Sequence, residues 1–76
     1  MNICVINGPN LNMLGMREPG IYGNVTFADI ETKCRELASR HKMGMDWFQS
    51  NSEGVLIEKI HRCVGKADWI IINAAG

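Results

Sequence analysis

With 76 residues, and eight basic side chains balanced by eight acidic ones, the chain is at most one small domain without net charge. That balance removes the electrostatic basis for binding nucleic acid or an anionic membrane surface. No apolar run approaches the roughly 20 residues needed to cross a bilayer. The opening Met1-Asn-Ile-Cys-Val-Ile6 has neither the basic start nor the long apolar core of a secretory signal, so a cytoplasmic protein is expected.

The first element in chain order is Ile3–Ile6, short, β-branched and nearly continuous in its apolar character, as expected of a strand buried on both faces. Thr26 and Asp29 have the spacing of a capping box, and Phe27, Ile30, Cys34, Leu37 and Ala38 then recur at helical intervals up to His41. Thr26 is therefore better used as a helix cap than as part of the glycosylation triplet Asn24-Val-Thr26. Met45–Gln49 resumes an extended pattern before the turn-forming Ser50-Asn-Ser52. A second helix follows, with Leu56, Ile57, Ile60, Cys63 and Val64 as its stripe, Glu53 in the first turn and Gly65 as its stop. Trp69–Ile72 reads as a third buried strand.

Strand, helix, strand, helix, strand with short links predicts a parallel sheet with right-handed crossovers. Two helices can cover one face each if the first strand lies in the middle. A unit of this size, burying only about 60% of its unfolded surface, would be marginal alone. It reads as the first half of a larger α/β domain, or as a unit that depends on other subunits.

In such sheets ligands bind beyond the carboxyl ends of the strands. Here those ends carry Asn7-Gly-Pro-Asn10, Gln49-Ser-Asn51 and Asn73, uncharged amides that suit a small hydroxylated ligand better than a metal. Nucleotide signatures are absent: there is no G-x-G-x-x-G and no G-x-x-x-x-G-K-[ST], and Pro9 removes a backbone donor from any phosphate cradle. Cys4, Cys34 and Cys63 are odd in number and widely spaced, so buried reduced thiols are expected rather than disulfides or a metal site. His61 and Cys63, two apart on a helix, point in different directions, and Lys59, Arg62 and Lys66 read as a solvated face. Met13 and Met16 read as flexible contacts.

The connection from Asn7 to Asn24 is too long for an ordinary strand-to-helix turn, and such connections are usually lids or binding loops. An active-site lid over residues 8–24 is expected, with Gly15, Gly20 and Gly23 as hinges and with Arg17 and Tyr22 on board. A tyrosine with a pKa near 10 serves as a base at neutral pH only with help, and a guanidinium within roughly 4–6 Å favours its phenolate. Proton abstraction from carbon is one chemistry this pair could do; a surface Arg17–Glu18 pair beside a packed Tyr22 is the other reading of the same residues.

The run Asn7-Gly-Pro-Asn-Leu-x-x-Leu-Gly-x-Arg-Glu-Pro-x-x-Tyr-Gly23, with Gln49-Ser-Asn-x-Glu-Gly54, resembles the signature of type II 3-dehydroquinate dehydratases. The resemblance runs the length of the chain. It implies a flavodoxin-like doubly wound parallel sheet of which residues 1–76 form the first βαβαβ half. It also implies a dodecamer of four trimers, and the hydro-lyase reaction that converts 3-dehydroquinate to 3-dehydroshikimate in the shikimate (aromatic amino acid) or quinate pathways, without metal or other cofactor. By that resemblance Tyr22 takes the proton beside the ketone, Arg17 keeps it ionised, Asn10 stabilises the enolate through a bound water, and Asn73 binds substrate. The family's histidine acid and the arginine that clamps the substrate carboxylate lie past the position of Gly76. His41 and His61 sit on expected helices away from the strand ends and do not replace that acid. Two readings stay open: the amino-terminal half of a dehydratase, inactive or nearly so by itself, or a truncated, non-catalytic binding or assembly module.

Overall fold

The computed structural model describes residues 1–13 and 25–74. The apolar segment Asn2–Asn7 forms β1, with β2 at Gly44–Gln49 and β3 at Trp69–Asn73. Pairing is parallel and the order is β2-β1-β3, so β1 lies in the middle. This is the start of a flavodoxin-like sheet, in which the first strand is flanked by the second and the third.

Helix α1 spans Phe27–Arg40 and α2 spans Glu53–Cys63. The capping box at α1 is present: the Thr26 hydroxyl accepts from the Asp29 N–H at 3.1 Å and the Asp29 carboxylate accepts from the Thr26 N–H at 3.0 Å. These bonds satisfy two donors that a helix start otherwise leaves open, and they hold the Asp29 carboxyl below its ordinary value. At α2 the Ser52 hydroxyl accepts from the Val55 N–H. The helix stops before Gly65, whose φ of 83° lies in the left-handed region that a residue with a Cβ enters only at a cost.

Side chains alternate across a strand, so Cys4 and Ile6 share one face of β1 and Val5 takes the other. On the first face Cys4 and Ile6 pack with Cys63, and Leu56, Ile60, Ala67 and Ile70 close around them, which places α2 there. On the second face Trp47, in register with Val5, meets Phe27 of α1 with ring centroids 5.3 Å apart. The two helices therefore cover opposite faces, as the chain order predicts. No helix among the described residues is long and apolar enough to cross a membrane.

Three expectations are corrected. Strand β3 is not buried: Trp69, Ile71 and Ile72 are 62%, 52% and 55% exposed. It occupies the edge of the sheet while the helices lie over β1 and β2. For the same reason Leu37, Ile57 and Val64, counted in the apolar stripes, face solvent, because three strands are too narrow to cover a full stripe. Lys59 does not belong to the solvated face. Its side chain lies 17% exposed, with Nζ 2.5 Å from the Asp46 carboxylate and 5.3 Å from the centroid of the Phe48 ring.

Candidate active site at the carboxyl end of the sheet

The register sets Gln49 of β2, Asn7 of β1 and Asn73 of β3 side by side. The three amide-rich strand ends thus form one row, as the sequence suggested. Asn7 is 2% exposed, and its Nδ2 donates to the Phe48 carbonyl at 3.1 Å. Its carbonyl accepts from the Ser50 N–H at 3.2 Å, and the next N–H, that of Gly8, donates to the Asn73 carbonyl at 2.8 Å. The chain leaving β1 is thereby tied to both neighbouring strands.

Residues 8–13 then fold back as a turn ending in the 3-10 segment Leu11–Met13, with the Met13 N–H donating to the Asn10 carbonyl at 3.0 Å. Asn10 has φ 68°, a left-handed conformation that asparagine tolerates better than most residues. Its N–H donates to Oδ1 of Asn51 at 2.9 Å. Gln49 sits between: its Nε2 lies 3.2 Å from the Gly8 carbonyl, 3.3 Å from Oδ1 of Asn12 and 3.1 Å from Oδ1 of Asn51. The carboxamides of Asn10 and Asn73 are exposed and form no side-chain hydrogen bond among the described residues. The rim can therefore donate to, and accept from, the hydroxyls and oxyanion of a small ligand.

Of the four expected site residues, Asn10 and Asn73 lie on this rim. Arg17 and Tyr22, and positions 14–24 of the lid expected over 8–24, lie outside the described residues. Sequence reading missed the way Gln49 and Asn51 grip the turn that carries Asn10, because residues 41 apart meet only through the strand register.

A second polar cluster lies at the other end of the sheet. One ligand atom each of Cys4, Asp46 and Cys63 fall within 4.8 Å of one another. They border a groove of about 490 Å³ that is also lined by Lys59, Arg62 and Lys66. Burial, and then the hydrogen bond with Cys63, push the Cys4 thiol up to about 12, so it stays protonated near neutrality. Lys59 already neutralises Asp46, and three cationic side chains oppose a metal ion. This groove lies toward the end of the sheet opposite the amide rim and is a packing feature.

Comparison with known proteins gives the family. The family model for dehydroquinase class II matches residues 1–76. The chain is 49% identical over 74 residues to a 3-dehydroquinate dehydratase of Synechococcus sp. (strain WH7803), covering 97% of this chain and 50% of that protein. It is 53% identical over 73 residues to a catabolic 3-dehydroquinase of Talaromyces marneffei, covering 96% and 42%. The crystal structure of the type II dehydroquinase from Butyrivibrio crossotus superposes with a TM-score of 0.91 at 40% identity, covering 100% of this chain and 53% of that one. The chain thus spans about half the length of the curated relatives it matches. With the whole of its sequence matched and the same fold shared at 40% identity, the chain belongs to the class II dehydroquinase family.

Proposed function

We propose that residues 1–76 supply the base side of a 3-dehydroquinate dehydratase site. The observation that carries this reading is the row of strand-end amides from which the loop bearing the Arg17 and Tyr22 motif departs. In the proposed mechanism the Tyr22 phenolate takes a proton from the carbon beside the substrate ketone. The electron pair of the broken C–H bond forms a C=C bond to the carbonyl carbon, and the carbonyl π pair moves to the oxygen, giving an enolate. Collapse of the enolate expels the β-hydroxyl, which leaves as water after protonation by an acid outside residues 1–76.

Arg17 lowers the pKa of Tyr22, Asn10 stabilises the enolate oxygen through a water, and Asn73 binds the substrate. A preorganised donor at a developing oxyanion is worth roughly 2.7–4 kcal/mol. Positions 8–24 form the lid that excludes water when substrate is bound, its start at 8–13 anchored to the strand ends. The dodecamer of trimers and a cytoplasmic location belong to the same proposal; the mass of the complete gene product in solution tests the first and fractionation of the source cells tests the second.

The test of function is conversion of 3-dehydroquinate by the complete gene product. Turnover that collapses in Tyr22→Phe supports the reading. A folded complete protein without turnover overturns it in favour of a binding or assembly module.

A further inference from the structure

We infer that Gln49 and Asn51 are positioning residues that set the Asn10 carboxamide through a one-directional hydrogen-bond relay, an inference that rests on the dehydratase reading for its kinetic consequence. The orientation of both amides is fixed by partners that have only one option. The Asn10 N–H can only donate, so the atom of Asn51 facing it at 2.9 Å is the oxygen. The Gly8 carbonyl can only accept, so the atom of Gln49 facing it at 3.2 Å is the nitrogen. The two assignments agree with each other, because Nε2 of Gln49 then donates to the same Oδ1 of Asn51 at 3.1 Å.

The relay touches three places on one short turn: Gly8 where it leaves β1, Asn10 at its left-handed residue, and Asn12 within its 3-10 segment, 3.3 Å from Gln49. Beyond the backbone bonds from Met13 to Asn10 and from Gly8 to Asn73, the turn supplies little restraint of its own. Register, rather than local sequence, holds Asn10 at the rim. Misplacing a reacting or stabilising group by about 1 Å costs on the order of 100-fold in rate.

The chemistry makes the two positions respond oppositely to the same substitution. An aspartate at position 51 keeps the acceptor, so Asn51→Asp preserves the relay. A glutamate at position 49 replaces the only side-chain donor with an acceptor facing three oxygens, so Gln49→Glu breaks it.

The experiment is a set of four variants, Asn51→Asp, Asn51→Ala, Gln49→Glu and Gln49→Ala, made in the complete gene product. Steady-state kinetics on 3-dehydroquinate are read beside the amide proton shift of Asn10 by NMR. Asn51→Asp should retain kcat within about threefold and keep the Asn10 amide resonance. Asn51→Ala, Gln49→Ala and Gln49→Glu should lower kcat about 10-fold to 100-fold with a smaller change in KM, and shift that resonance. Equal losses in Asn51→Asp and Asn51→Ala, or a silent Gln49→Glu, overturn the relay. If the wild-type protein shows no turnover, the dehydratase reading has failed, and the Asn10 resonance still decides the relay: it must follow the donor and acceptor pattern or the inference falls.

Discussion

The two ends of the sheet use polar groups in opposite ways. At the amino end, polar groups are spent on one another. Asp46 pairs with Lys59, Asp68 accepts from the Asn2 N–H at 2.7 Å while its own N–H donates to the Asn2 carbonyl at 2.8 Å, and the thiols of Cys4 and Cys63 are buried together. At the carboxyl end, Gln49 and Asn51 are spent on the turn, which leaves the carboxamides of Asn10 and Asn73 exposed. Saturated polar groups hold a fold, whereas polar groups with spare hydrogen-bonding capacity on a rigid support can hold a ligand.

The comparison breaks most readily at the base. Tyr22→Phe in the complete protein should lower kcat by at least about 10²–10⁴-fold with unchanged far-ultraviolet circular dichroism. Arg17→Ala should raise the kinetic pKa of the base, moving the acidic limb of the pH–rate profile upward, because in the proposed mechanism a cation at position 17 favours the phenolate. An unmoved limb would take Arg17 out of that role.

Next in size is the core that supports both ends. Ile6→Ala removes a side chain that is 1% exposed and should lower unfolding stability by about 2–5 kcal/mol, read from the denaturant midpoint. At the capping box, Thr26→Ala should remove about 1 kcal/mol. Its pH signature has a defined sign. The Asp29 carboxyl is held below its ordinary 3.8 by the Thr26 bonds, so its contribution is present above that value and fades as pH falls through the lower folded value. Asp29→Asn, which removes the titrating carboxyl, should therefore lose less stability on acidification than the wild type does, as acid titrations of the two proteins would reveal. The smallest effect belongs to the amino end: Lys59→Met should change stability by less than about 1 kcal/mol, since Asp46 is 55% exposed, and should leave kcat unchanged. A large loss of kcat there would dissolve the contrast between the two ends.

Much of this was legible in the chain. Period, caps and turn residues gave the strands and helices to within a residue or two, because those signals are local: Thr26 with Asp29 at one helix start, Glu53 in the first turn of the next, Gly65 after its end. The meeting of strand ends was also legible, since parallel strands in sequence bring their carboxyl ends together. The exposure of Trp69, Ile71 and Ile72 was not, because an apolar run looks the same at the middle of a sheet and at its edge. Nor were the pairing of Lys59 with Asp46 or the grip of Gln49 on Gly8 and Asn12, which depend on register. Arg17 and Tyr22 were legible only as a motif, and their contacts lie outside the described residues.

The most direct test of a carboxyl-end dehydratase site is the rate at which the complete gene product converts 3-dehydroquinate to the conjugated ketone 3-dehydroshikimate, followed by ultraviolet absorbance in wild type and Tyr22→Phe side by side. The account predicts turnover in the first and its near-abolition in the second, with both proteins folded. Equal rates in the two, or none in a folded wild type, would contradict it.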